Sequence, residues 1–327
     1  MNRRKYLVTG GAGFIGSHLC EALLEAGRRV TVVDDLSTGS LNNVNHLLAR
    51  PGFSLVEGRV QDCPALPGLV EEADVIFHLA AAVGVELVVK YPVRTIETNV
   101  HAVERVCELA AAARKRLIFT STSEVYGRAL SERFNEADDL LIGPPTHYRW
   151  SYAASKALDE FLALACHKER GLPVTIARLF NTVGPRQTGA YGMVFPRFVE
   201  AALRNRPLRV FGDGSQSRCF CHVADTVRAL LGIEAEDATV GEIYNIGSER
   251  QISIIDLARR VIRVLGSSST IELVDYAEAY EPGFEDMLRR VPDTDKIRDR
   301  LGWRPRKTLD EIILEVGEGL AKTIVQG

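Results

Sequence analysis

The run "VTGGAGFIGSHL", Val8 to Leu19, most restricts what this chain can fold into. It continues the apolar stretch "KYLVTG" and opens a helical segment, so a strand, a tight turn and a helix must follow one another within a few residues. Gly10, Gly13 and Gly16 form G-x-x-G-x-x-G, and read from Gly11 the run is G-x-G-x-x-G. Glycines let the backbone reverse sharply and approach a pyrophosphate closely. The helix start adds N–H donors and the positive end of the helix dipole. Such a triplet is also compatible with a plain structural turn, so its context decides. Asp34 ends the next apolar run, "RVTVVDD", 18 residues past Gly16. A carboxylate there accepts hydrogen bonds from adenosine ribose hydroxyls and repels a 2′-phosphate, which predicts NAD rather than NADP. Asp62 in "GRVQDC" follows the third strand and is a candidate for the adenine amine or an ordinary loop aspartate.

The rest of the first half continues this grammar. "FSLVEG", "DVIFHLA", "RLIFTST" and "PVTIARLF" are too uniformly apolar for half-exposed strands and suit parallel strands covered on both faces. Helical patterns over Phe14–Ala26, Pro92–Arg114 and Trp150–Glu169 separate them. The expected fold is α/β: a Rossmann-type doubly wound parallel sheet with a smaller, interleaved C-terminal α/β domain. From about Asn181, Pro and Gly punctuate shorter elements. A helix over Val223–Leu231 and the strand "EIYNIGS" are expected to rejoin the main sheet. "SIID" and "TLDE" start later helices, with Ser253 and Thr308 as N-caps and an acid three residues on. The domains expected are 1–180 plus about 222–247 for the cofactor, and 181–221 plus 248–327 for the substrate.

Composition excludes several classes. The 327 residues are 46% apolar and 25% charged with a formal charge of −3, so there is no broad basic field for nucleic acid or anionic membrane. No apolar run has the length of a membrane span or a signal peptide, and the protein reads as cytoplasmic. Of the six cysteines, only Cys219 and Cys221 in "RCFCH" are close, with no second pair at metal spacing. Reduced, buried thiols are expected and no metal site.

"SYAASK" places Tyr152 and Lys156 four apart, on one face of a helix. An ammonium beside a phenol favours phenolate and suits the tyrosine to proton transfer. The hydroxyl-rich strand end "STSEVYG" precedes this helix.

With these motifs on one chain, a resemblance emerges. "TGGAGFIGSH", "HLAA", "STSEVYG", "YAASK", "RLFNTVGPRQ" and "LGWRP" resemble, in order and over nearly the whole chain, the extended short-chain dehydrogenases/reductases that modify nucleotide sugars. The resemblance implies a tightly held NAD that is reduced and reoxidised within one cycle, a UDP-sugar substrate and a homodimer. It places Gly10, Gly13, Phe14, Ile15, Gly16, Asp34, Asp62, Leu79, Ala80, Ala81, Tyr152 and Lys156 at the cofactor. It also implies roles for Thr122, which would hold the C4 hydroxyl, and for Tyr152, which would take its proton.

Thr122-Ser123-Glu124 is similar to UDP-glucuronate decarboxylases. In 4,6-dehydratases the middle residue is typically Asp, and in 4-epimerases the triplet is typically small or hydroxylated. Ser123 leaves room for a substrate carboxylate where an aspartate would repel it. Glu124, with a raised pKa, would return a proton to C5, or alternatively would only orient the sugar ring. Asn181, Arg186 and Arg218 resemble contacts to a diphosphate, and Arg290 in "EDMLRRVPD" resembles an arginine beside the sugar carboxylate, with Arg289 as a neighbour able to take that role. Arg149 in "HYRWSY" resembles a decarboxylase feature and equally suits a helix-start salt bridge. The expected activity is decarboxylation of UDP-glucuronate through a 4-keto intermediate to UDP-xylose, or release of the 4-keto pentose. The alternative is a UDP-hexose or UDP-hexuronate 4-epimerase, ahead of a 4,6-dehydratase or a non-catalytic NAD-binding scaffold.

Overall fold

A computed structural model of the chain describes residues 4–128, 131–189, 193–275 and 290–326. Six strands succeed one another along the first half: β1 (Lys5–Thr9), β2 (Arg29–Asp34), β3 (Phe53–Glu57), β4 (Val75–His78), β5 (Arg116–Thr122) and β6 (Val174–Leu179). Four short strands follow, β7 (Thr182–Val183), β8 (Leu208–Phe211), β9 (Ser217–Cys219) and β10 (Cys221–His222), before β11 (Ile243–Ile246) returns to lie beside β6. The seven-stranded sheet runs β11-β6-β5-β4-β1-β2-β3 with every pairing parallel. The strand order reverses at β1 and β4, and the crevice beyond their C-terminal ends is where such sheets bind ligands.

The helices of this half are α1 (Phe14–Glu25), α2 (Leu66–Glu72), α3 (Val85–Lys90), α4 (Pro92–Ala112) and α5 (Trp150–Arg170). Those that follow are α6 (Val194–Leu203), α7 (Val223–Ala235) and α8 (Ile254–Val264), with further helices over Asp295–Leu301 and Leu309–Gln326. Adjacent strand residues point to opposite faces. Val8 therefore joins Leu19, Leu23, Leu230 and Ile233 under α1 and α7, while Leu7 joins Val70, Val103, Val106 and Ala163 under α2, α4 and α5. Burial on both faces is why these strands lack polar alternation.

A third apolar core joins α6, α8 and the C-terminal helix through Phe195, Phe198, Leu257, Val261, Ile312 and Val316. Beside it, β12 (Gln251–Ser253) pairs antiparallel with β9, and β13 (Ile271–Val274) pairs parallel with β8. Both expected caps form. Ser253 Oγ accepts from the Asp256 N–H at 3.1 Å, and Thr308 Oγ1 and Glu311 exchange bonds in a capping box. The helix at Val223 runs to Ala235, past the expected Leu231, because Ile233 still faces the core.

All six cysteines are unpaired and buried, and burial pushes the Cys219 and Cys221 thiols up to about 12. Among the described residues no helix is long and apolar enough to cross a membrane. The segment "EAYEPGFEDM" and Arg289 lie outside the described residues.

Candidate active site

The glycine turn leaves β1 at the switch point. Gly10 has φ +72°, and a Cβ there would stand 2.7 Å from the Ala80 backbone nitrogen. The turn is closed by the Gly13 N–H donating to the Gly10 carbonyl at 3.1 Å, and Gly16 sits so tightly that its Cβ would meet the Gly11 Cα at 2.8 Å. The Asp34 carboxylate, at the end of β2, accepts from the Ala12 N–H and the Leu36 N–H, each at 2.9 Å. Burial raises its pKa, and these backbone donors oppose the rise. Asp34 thus braces the turn from below.

Phe14 and Ile15 begin α1, and Leu79, Ala80 and Ala81 run on from β4 beside the turn, with the Leu79 N–H bonded to the Thr9 carbonyl at 3.0 Å. Asn99 ties this stretch to α5. Its Oδ1 accepts from the Ala82 N–H at 2.8 Å and its Nδ2 donates to Ser155 Oγ at 3.1 Å. Asp62 stands apart in a short turn after β3, its side chain largely exposed and 3.5 Å from Arg59.

The second half of the site gathers at the end of β5. Thr122 Oγ1 accepts from the Glu124 N–H at 3.2 Å and starts a short 3₁₀ turn over Ser123–Tyr126. Tyr126 anchors that turn by donating to Asn245 Oδ1 at 2.8 Å and stacking on Phe134. The Glu124 carboxylate lies between two guanidinium groups, Arg149 at 3.1 Å and Arg290 at 2.5 Å. Arg149 leads into α5. Arg290 is placed by a backbone bridge in which the Phe134 N–H donates to the Val291 carbonyl at 2.8 Å.

Burial alone would raise the Glu124 pKa, but the charges and hydrogen bonds of Arg290 and Arg149 outweigh it and hold the carboxyl below its ordinary value. The raised value expected of Glu124 is thereby corrected: two arginines face the carboxylate and favour its charged form.

Tyr152 and Lys156 share the inner face of α5, as their spacing predicts. Burial, with Glu124 adding to it, pushes the Tyr152 phenol well above its ordinary range, and the Thr122 hydroxyl opposes this through a hydrogen bond. The expected lowering by Lys156 is absent in this state because the ammonium turns elsewhere. Lys156 Nζ lies 3.4 Å from Asp159 Oδ2 and 3.9 Å from the centre of the Phe119 ring. No motif spacing singles out Asp159; its position one turn after Lys156 on the buried face is the signal that could have found it.

The remaining predicted residues are dispersed. Asn181 (φ +32°) donates from Nδ2 to the Cys219 carbonyl at 3.0 Å. Arg218 is buried on β9 with Nη1 donating to the Ser217 carbonyl. Arg186 reaches instead to α1, where it donates to Ser17 Oγ at 3.1 Å and pairs with Glu21 at 2.6 Å.

This arrangement joins a glycine-turn cradle to a Thr-Tyr-Lys set, and the sequence profile of the NAD dependent epimerase/dehydratase family matches residues 6–247. The chain belongs to that family. As an epimerase/dehydratase family member it is 40% identical over 314 residues to a UDP-N-acetyl-alpha-D-glucosaminuronate decarboxylase of Bacillus cytotoxicus, covering 96% of each chain. It is 36% identical over 310 residues to UDP-glucuronic acid decarboxylase 1 of Arabidopsis thaliana, covering 94% of this chain and 68% of the other. The fold of this family member superposes with a TM-score of 0.87 on the UDP-glucuronic acid 4-epimerase of Bacillus cereus, solved with UDP-glucuronic acid and NAD. That pair is 28% identical, with 98% and 99% of the two chains covered.

Proposed function

We propose that the protein decarboxylates UDP-glucuronate through a UDP-4-keto intermediate, yielding UDP-xylose or releasing the 4-keto pentose. The observation that carries this reading is the convergence on Glu124 of Arg290 and of Arg149, which stands three residues before Tyr152. Two guanidinium groups at one spot suit a substrate that brings its own carboxylate. The decarboxylase names of the relatives support it.

The Gly10–Gly16 turn, which a Cβ at Gly10 or Gly16 would fill, fits a dinucleotide pyrophosphate, and Asp34 fits NAD. Gly10, Gly13, Phe14, Ile15 and Gly16 would hold it with Leu79, Ala80, Ala81, Tyr152 and Lys156, with Asp62 toward the adenine. When bound, NAD would supply the acceptor for the C4 hydride and, for UDP-xylose as product, the donor that returns it; release of the 4-keto pentose would leave NADH behind. Tyr152 takes the proton from the C4 hydroxyl, which Thr122 holds, and this requires the Lys156 ammonium to turn from Asp159 toward the phenol and lower its pKa. Oxidation at C4 makes the C6 carboxylate that of a β-keto acid. The C5–C6 bond then breaks, CO2 leaves, and the electron pair passes to the C4 oxygen before C5 is reprotonated. Ser123 leaves space for the carboxylate, and Arg290 meets it. Glu124, held ionised, orients Arg149, Arg290 and the sugar. Asn181, Arg186 and Arg218 are assigned to the diphosphate, Arg186 after release from Glu21.

Residues 1–180 with about 222–247 are assigned to NAD and 181–221 with 248–327 to the nucleotide sugar. The six unpaired thiols support the cytoplasm as the compartment. Exposed apolar residues on α4 and α5 support a homodimer: Val93, Ile96, Leu158 and Phe161.

A 4-epimerase is the second reading, favoured by the likeness to the Bacillus cereus enzyme. The test is a mass spectrum of the nucleotide sugar after incubation with NAD and either UDP-glucuronate or UDP-N-acetylglucosaminuronate. A product lighter by one CO2 from the former supports the proposal, and loss of CO2 from the N-acetylated sugar alone reassigns the substrate. Unchanged mass with C4 inverted, read by NMR, gives the case to the epimerase.

A further inference from the structure

Lys156 is 2% exposed and Asp159 is fully buried, both on α5, which packs against α4, β5 and β6. The lysine has the Phe119 ring beneath it, whose face attracts a cation but supplies no negative charge. Neither carboxylate oxygen of Asp159 accepts a hydrogen bond from the described residues, and Lys156 Nζ stands 3.4 Å from one of them. A carboxylate buried in this way is costly unless a charge faces it.

Among the described residues, the other titratable groups around the pair do not provide that charge balance. His78, from β4, is held neutral by burial and by Lys156, its pKa down to about 3. Cys107, from α4, is pushed up to about 12 by burial, with Cys166 of α5 beside it, and stays a thiol. Glu160, next to Asp159, is engaged by a forked pair to Arg178 at 2.7 and 3.0 Å. Tyr152 and Glu124 lie toward the substrate end, where Glu124 is bound by two arginines. Asp159 is left as the counter-charge to Lys156.

We propose that Asp159 is a positioning residue that keeps Lys156 an ammonium and fixes where its Nζ stands in the site. The proposal rests on Lys156 belonging to the active site. Burial pulls the Lys156 pKa down and pushes that of Asp159 up, and each charge opposes the shift of the other. Removing the carboxylate therefore makes the lysine lose its proton at lower pH.

The chain has eight lysines, few enough to resolve by NMR with ¹³Cε-labelled lysine, and a Lys156→Met variant identifies the cross-peak. In the protein without substrate, the Lys156 midpoint is expected to fall by about one pH unit or more in Asp159→Asn, and to recover in Asp159→Glu. An unchanged midpoint in Asp159→Asn overturns the proposal, as does a Lys156 that is already neutral at pH 7 in the unaltered protein. Should Asp159→Asn fail to fold, Asp159→Ser carries the same test with less bulk. This readout uses no nucleotide sugar, so its result stands whether or not the protein decarboxylates UDP-glucuronate. The alkaline limb of the kcat/KM profile is expected to move to lower pH in the same variant, whereas loss of packing alone lowers the rate at every pH.

Discussion

Glu124 decides more about this site than any other side chain, because it is the anion that two arginines share. Replacing it by glutamine leaves Arg149 and Arg290 facing each other with no charge between them. Breaking a mostly buried ion pair from one side costs on the order of 3 kcal/mol, so Glu124→Gln is expected to lower the melting temperature by several degrees at pH 7. Calorimetry across pH checks the cause. Glu124 has a folded pKa below its ordinary value, so its stabilisation is complete above the ordinary value, about 4.3, and is lost as pH falls through the folded one. The gap between the unaltered protein and the variant should therefore narrow as pH falls below that ordinary value and close beneath the folded one. A gap that persists in acid assigns the loss to packing. For Tyr152→Phe the expected change is kinetic: the first hydride step, followed as NADH absorbance in a single turnover, slows by about 10²-fold or more. These residues stand out in the sequence through the "STSEVYG" and "SYAASK" motifs, and the fold brings them together at the end of β5. Their protonation was not legible there. The fall at Glu124 comes from Arg290 and Arg149, 166 and 25 positions away in the chain, and no local pattern announces those pairs.

At the scale of elements, the glycine turn was readable because its geometry leaves little choice of residue. Gly10→Ala would need a left-handed backbone, at about 1 kcal/mol or more, and would also push the new methyl into the Ala80 backbone. The expected result is at least a tenfold loss of NAD affinity, measured by isothermal titration. The third core around Phe198 and Leu257 is remote from the turn, so the far-UV spectrum should change little. If NAD binds Gly10→Ala as tightly as the unaltered chain, the turn is not the cradle. The same logic explains what was missed. Arg186 follows a Gly-Pro pair, and its φ of +71° swings the guanidinium toward α1 and Glu21. Motif spacing carries no information about that turn. Strand β11 was legible because Ile243, Tyr244 and Ile246 mark a buried strand wherever it falls in the chain, but the buried Asn245 among them, which donates to the Phe134 carbonyl, was not.

The whole molecule is organised so that α4 and α5 serve two surfaces at once. Inward, α5 presents Tyr152, Lys156 and Asp159, and α4 presents Asn99. Outward, they carry Val93, Ile96, Leu158 and Phe161, each at three-residue spacing on its helix, with Phe161 69% exposed and Val93 67% exposed. An apolar stripe across two neighbouring helices costs solubility unless it is covered. A second copy of the chain would cover it by packing the same pair in a four-helix seam. Phe161→Glu should then convert a dimer to a monomer in sedimentation velocity. Because the side chain is exposed, the monomer should stay folded, with an unchanged far-UV spectrum. Activity should fall more than stability does, since a freed α5 holds Tyr152 and Lys156 less firmly against β5. If the unaltered protein already sediments as a monomer, the stripe has no partner in another copy and the seam is refuted.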